Sequence, residues 1–322
     1  MSFILPSLYE IEEAAALVYR HMPATPQYRW PLLDEASGIE LWVKHENHTP
    51  VGAFKLRGGI VYMDWLRSER TDVRGVVAAT RGNHGQSIGF GAKLAGLPAV
   101  IVVPHGNSRE KNAAMLALGV ELIEHGDDFQ AASEFAETLA LERGFVKVPS
   151  FHPLLVRGVT TYALEFFRGT PELDTVYVPV GMGSGICGMM AARDALGLKT
   201  KIVGVVSTGA PAYKLSFEAA RKIEHAVTTA LADGMACRVP SEDALNAMLA
   251  GAERIVAVSD AEVAAAMRLM LQATHNVAEG AGAAALAALM QEKQAMQGKR
   301  VGIVISGGNV DVDVFAAALA AG

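Results

Sequence analysis

Short apolar runs rich in β-branched residues alternate along this chain with stretches whose apolar positions recur every three to four residues. The runs predict strands over 76–80, 99–104, 121–124, 145–149, 175–180, 201–206, 254–258 and 300–306. The intervening and following stretches predict helices over 85–97, 109–118, 129–143, 154–168, 186–196, 260–273, 281–294 and 312–321. Residues 100–103 and 176–180 are apolar almost throughout, as strands buried on both faces of a parallel sheet are. Strand–helix alternation of this kind predicts an α/β protein with parallel sheets flanked by helices. Residues 207–250 are the least regular part: Pro211, Gly234 and Pro240 interrupt a moderate helical signal. There is no internal repeat and no low-complexity linker.

Composition narrows the class. A chain of 322 residues allows two modest domains or one large one. With 51% hydrophobic and 19% charged residues it does not read as disordered. A net charge of −6, with no dense run of Lys or Arg, speaks against a general nucleic-acid partner. Cys187 and Cys237 fit reduced thiols better than a disulfide framework, and their spacing matches no zinc motif. Residues 1–17 carry Glu10, Glu12 and Glu13 and do not resemble a secretory signal. No apolar stretch is long enough to cross a bilayer. The expectation is a cytoplasmic protein with no membrane partner.

Four segments carry candidate chemistry. In Gly52–Gly59, Lys55 follows Phe54 in what reads as a Gly-flanked turn. A surface lysine is the plainer reading, since lysines are mostly exposed. A nucleophilic amine activated by burial is the functional one. In 80–87, Thr80, Arg81, Gly82, Asn83 and His84 stand where a strand gives way to a helix, a place where ligands and anions bind in α/β sheets. An N-cap and turn, with His84 an ordinary loop histidine, would account for Asn83 and Gly85 but not for the whole polar cluster. In 178–188, Gly181, Met182, Gly183, Ser184 and Gly185 form a Gly-rich turn suited to a phosphate. Residues 183–188 also match G-x-G-x-x-G, which makes a nicotinamide dinucleotide the competitor. That reading wants an acid after the next strand, where Ser207, Thr208 and Gly209 stand instead. Finally, Ser306-Gly307-Gly308-Asn309 closes the last strand, with ordinary turn chemistry as its plainer explanation. Four polar turns at strand ends together describe one cofactor site.

This ordered set resembles the threonine/serine dehydratase (threonine ammonia-lyase) branch of the fold-type II, tryptophan-synthase β-like, pyridoxal-phosphate enzymes, from about Leu5 to the end of the chain. The resemblance implies a two-domain α/β fold, each domain a mostly parallel twisted sheet flanked by helices. It implies a larger cofactor-binding domain from residues 1–72 and 150–322, and a smaller inserted domain over 73–149 that closes on substrate. It implies that Lys55 is the catalytic residue and forms a Schiff base with pyridoxal 5′-phosphate, with Phe54 beside the ring. Asn83 would contact the ring hydroxyl, Gly181, Met182, Gly183, Ser184 and Gly185 the phosphate, and Ser306 the pyridine nitrogen. Thr80, Asn83 and His84 would hold the substrate carboxylate. The implied reaction is β-elimination from a small amino-acid substrate such as L-threonine or L-serine, giving a 2-oxo acid and ammonia. The implied assembly is a homodimer, and without a following regulatory domain the implied role is catabolic or housekeeping.

Three departures from the family pattern matter. Ala53 replaces the usual serine before Phe54-Lys55. Arg81 stands where racemases of this branch carry a serine base, and a guanidinium stays protonated, which speaks against racemisation. Arg81 either pairs with a second substrate carboxylate, as in 3-hydroxyaspartate, or points to solvent or a protein acid, the latter reading standing slightly ahead. Val206-Ser207 replaces the acid of the family's divalent-metal site, so no such site is expected, while Asp233 and Glu279 stay as candidates for a cation site built differently. A non-catalytic pyridoxal-phosphate carrier or sensor is the reading from another class, supported only by Ala53 and Arg81.

Overall fold

The computed structural model describes residues 3–321; Met1, Ser2 and Gly322, which the expected outer segments include, lie outside the described residues. Two sheets organise the chain. The larger runs in the order β1 (Gln27–Arg29), β2 (Glu40–His45), β10 (Arg300–Ile305), β7 (Thr175–Pro179), β8 (Lys201–Ser207) and β9 (Arg254–Val258). Its neighbours are parallel except β1, which pairs antiparallel with β2 at the edge. The smaller runs β5 (Glu121–Glu124), β4 (Ala99–Val103), β3 (Val76–Ala79) and β6 (Val146–Lys147), all parallel. β3, β4 and β7 are buried at every residue, which is why they read as unbroken apolar runs.

Most elements lie within two residues of the expected bounds. β6 is shorter than the expected 145–149, because the Phe145 N–H is spent on the Ala140 carbonyl at the end of the preceding helix, at 2.9 Å. The first 72 residues, for which the pattern predicted no elements, hold α1 (Leu8–Val18), β1, α2 (Pro31–Ser37), β2 and α3 (Lys55–Glu69). β2 escaped notice because buried Lys44 and His45 interrupt its apolar run. α3 escaped it because Gly58 and Gly59 depress helix propensity. Gly59 is required there: a Cβ would lie 2.6 Å from the Ser87 carbonyl oxygen, so α3 approaches α4 (Asn83–Ala95) at backbone distance.

Lys55 is therefore the first residue of α3 and not part of a free turn. Two residues on, Arg57 is fully buried. It donates from Nε to Glu46 Oε2 at 2.8 Å and from Nη1 to Glu165 Oε1 at 2.6 Å. Lys44 Nζ donates to the other oxygen of Glu165 at 2.6 Å. Two cations and two carboxylates thus balance inside the larger unit, tying α3 to β2 and to α7 (Pro153–Arg168). Both cysteines are free and buried. No described helix is long and apolar enough to cross a membrane.

Candidate active site

A cleft of about 870 Å³, counting its open mouth, lies where the two sheets face each other at the carboxyl ends of β3, β7 and β10. That size suits a cofactor together with a small substrate. All four sequence segments reach it: Phe54 and Lys55, Thr80 to His84, Gly181 to Gly185, and Ser306. The backbone stitches two of them together. The Phe54 N–H donates to the Ser306 carbonyl at 3.0 Å, and Ala53 bridges to Gly307.

The Lys55 ammonium has no carboxylate partner among the described residues. Its Nζ donates to Ser184 Oγ at 3.2 Å and lies 5.2 Å from the centre of the Phe54 ring. Burial pulls its pKa down to about 8, because the charged form loses its water. An amine so placed is a better nucleophile at neutral pH than a surface lysine. The Phe54 ring is braced edge-on by Tyr162, centroids 6.0 Å apart.

In the turn after β3, Thr80 is turned inward to its own loop. Its hydroxyl oxygen accepts the N–H groups of Gly82 at 2.8 Å and Gly85 at 3.3 Å, so that it shapes the turn. Asn83 is locked from both sides: its Nδ2 donates to Glu279 Oε1 at 2.6 Å, and its Oδ1 accepts from Asn309 Nδ2 at 2.9 Å. His84 is buried and its Nε2 has no partner. Burial first, and the nearby Lys55 charge second, push its pKa down to about 3, so His84 is a neutral imidazole at physiological pH. Arg81 lines the same wall.

Beyond β7 the chain turns into α8 (Ser184–Ala195) through Gly183, whose φ of 98° lies in the left-handed region that glycine tolerates. A Cβ there would also sit 2.6 Å from the Ala244 Cβ. Tyr213 donates its hydroxyl to the Met182 carbonyl at 3.0 Å, and Tyr162 to the Gly185 carbonyl at 3.1 Å. No side chain caps α8, so its first N–H groups stay available to an anion.

Asp233 and Glu279 also reach the cleft, but they do not form a cation site of their own. Lys111 Nζ lies 2.7 Å from Asp233 Oδ2 and 3.1 Å from Glu279 Oε2, so the chain's own ammonium takes the place a bound cation would need. Burial disfavours that charge, but the two carboxylates outweigh it and hold Lys111 above its ordinary range. Burial raises Glu279, which Lys111 only partly offsets. Sequence reasoning singled out Asn309 only as turn chemistry and missed Lys111, Tyr162 and Tyr213. Nothing local marks them, since Lys111 reads as a solvated first-turn residue of a helix and the tyrosines as core.

These groups fit pyridoxal phosphate. A buried amine without a counter-ion suits its aldehyde, the uncapped start of α8 suits its phosphate, and Ser306, whose hydroxyl makes no hydrogen bond among the described residues, suits its ring nitrogen. Comparison with known proteins bears on the same cofactor. The family model described as "Pyridoxal-phosphate dependent enzyme" matches residues 18–307. The L-threonine ammonia-lyase of Thermotoga maritima is 34% identical over 310 residues, 96% of this chain and 77% of that one. The L-threo-3-hydroxyaspartate ammonia-lyase of Saccharomyces cerevisiae is 30% identical over 314 residues, 97% and 96% of the two chains. The structure of maize serine racemase superposes with a TM-score of 0.91 at 27% identity, covering 98% of each chain.

Proposed function

The chain belongs to the pyridoxal-phosphate dependent enzymes, and from that premise we propose that it deaminates a small 3-hydroxy amino acid such as L-threonine or L-serine. Water leaves from the β-carbon and is regained when ammonia is released, so the net products are a 2-oxo acid and ammonia. The observation that carries this reading is Lys55: a buried amine with no counter-ion, at a helix start, across from the uncapped start of α8.

When bound, pyridoxal phosphate supplies an electron sink for the charge left at Cα after proton removal. Lys55 would hold its aldehyde carbon, the N–H groups around Gly181–Gly185 its phosphate, Ser306 its ring nitrogen, Asn83 its ring hydroxyl and Phe54 its face. Because Glu279 and Asn309 fix both ends of the Asn83 amide, Asn83 keeps one N–H to offer. Lys55 Nζ would also serve as the base that takes the Cα proton. His84, neutral, can donate to a substrate carboxylate but cannot neutralise it. A neutral serine at the ring nitrogen makes a weaker sink than a carboxylate would, which favours prompt loss of the β-hydroxyl. Arg81 stays protonated and supplies no second base, which favours elimination over racemisation. We further propose that residues 73–149 act as a small domain closing over substrate, and that the enzyme is a cytoplasmic homodimer.

The test is turnover. Protein loaded with cofactor should release 2-oxo acid from L-threonine or L-serine with kcat/KM on the order of 10⁴ M⁻¹ s⁻¹. No 2-oxo acid from any hydroxy-amino acid would leave a cofactor carrier or sensor in its place. A second measurement probes Lys55 directly. Only the neutral amine attacks an aldehyde, and a depressed pKa makes it neutral at lower pH. The rate at which the apoprotein captures pyridoxal phosphate should therefore rise with pH about a midpoint near 8. A midpoint near 10.5, the value of an ordinary exposed lysine, would mean that Lys55 is solvated.

A further inference from the structure

Arg81 lies between Thr80 and Gly82 in the turn after β3 and lines the same cleft as Lys55 and the start of α8. Its guanidinium is permanently charged and carries five N–H donors. Among the described residues it donates no hydrogen bond and joins no ion pair, and its Nε is buried with no partner at all. The two acids in that wall cannot serve it, because Asp233 and Glu279 are both held by Lys111. The expectation of a guanidinium paired with a protein acid is thus not what the cleft contains; Arg81 is half-buried, with Nε enclosed and unpartnered. Lys55 is the other cation there without a carboxylate, and the proposed function assigns it to the cofactor aldehyde. Arg81 remains as a positive charge in a partly dry cleft with nothing in the protein to answer it.

A substrate with a single carboxylate does not require this charge. At the start of α4 the Thr80 hydroxyl takes the N–H groups of Gly82 and Gly85, which leaves those of Asn83 and His84 to one carboxylate, with the Asn83 amide and neutral His84 ring beside it. The cofactor phosphate has its own cradle at α8, on the other sheet. We propose that Arg81 is the docking group for a second carboxylate and that the preferred substrates are 3-hydroxy amino dicarboxylates of four carbons, the 3-hydroxyaspartates. This rests on the deamination reading above and deepens it. A planar guanidinium meets a carboxylate through two parallel hydrogen bonds, and binding such a substrate would give the buried Nε the partner it lacks. The charge would also select against threonine, whose methyl group would leave Arg81 desolvated and unpaired.

The experiment compares kcat/KM on both 3-hydroxyaspartate diastereomers, L-serine and L-threonine for the holoenzyme and for Arg81→Gln and Arg81→Lys. The wild-type protein should prefer one hydroxyaspartate to serine by about 10²-fold or more, and Arg81→Gln should cut that ratio by a similar factor, with Arg81→Lys between. A non-reacting pair gives a readout independent of turnover: succinate and propionate, titrated into the holoenzyme. Arg81→Gln should weaken succinate by at least about tenfold more than propionate. Equal losses for mono- and dicarboxylates would place Arg81 on the α-carboxylate or the phosphate and overturn the proposal, as would a wild-type enzyme indifferent to the second carboxylate. If no substrate is turned over, the deamination reading fails, while the succinate–propionate comparison still decides Arg81.

Discussion

Lys55→Ala protein supplied with pyridoxal phosphate should show no absorbance band near about 410 nm and should form 2-oxo acid at least about 10⁴-fold more slowly than the parent. Two separate functions would be lost together. The side chain that holds the aldehyde carbon is gone, and so is the amine that takes the Cα proton. No neighbour replaces it: His84 is buried, neutral and tied to the Pro149 backbone, Lys111 is neutralised by Asp233 and Glu279, and Arg81 does not deprotonate. The parent band should also disappear on borohydride treatment, with permanent loss of activity. The fold should survive the substitution. Lys55 makes a single side-chain hydrogen bond, to Ser184, and burial already disfavours its charge, so the thermal midpoint should not fall. A retained band in folded Lys55→Ala protein would remove the basis of the proposed function.

Arg57→Met is expected to have the largest effect on stability, about 3–5 kcal/mol, read as a drop in the urea or thermal midpoint. The reason is what the substitution leaves behind. Glu46 is fully buried and receives both Nε and Nη2 of Arg57; Glu165 is nearly so and keeps Lys44 as its one cation, beside the neutral Tyr19 hydroxyl and Thr25 N–H. Two carboxylates would then share one ammonium in a site without water. Adding Glu46→Gln to Arg57→Met should recover part of the loss, since the uncompensated charge is the main cost. Because Arg57 lies two residues beyond Lys55 on α3, cofactor affinity should fall alongside stability. An unchanged midpoint in the single variant would show that the ion network holds nothing.

The two variants mark different degrees of legibility. Lys55 was found because its neighbours in sequence are diagnostic in company: an aromatic before it, glycines around it, and three further polar turns at strand ends. Arg57 stood in the same segment and gave no signal, because its partners are 11 and 108 residues away. Asn83 was found by its turn, yet the amide's orientation depends on Glu279 and Asn309, 196 and 226 residues distant. Asp233 and Glu279 were noticed as acids that might bind a cation; that Lys111 already stands between them was beyond reach of any local pattern.

The sequence by itself determined the alternation of strands and helices from residue 76 onward except over 207–250, where the helices Ala212–Glu218 and Glu242–Gly251 were not delimited, together with the four turns that carry chemistry and the kind of cofactor they suit. Those features are written in stretches of four to ten residues, where burial on both faces of a strand, helical periodicity and turn chemistry each leave a local trace. Tertiary structure alone decided the charge balance. It decided that β2 holds buried Lys44 and His45 and is still a strand, that Lys111 closes the acidic pair, and that Arg81 faces the cleft with no acid to meet it. A charge is satisfied by whatever the fold brings within a few ångströms, and residue type does not record which partner that is.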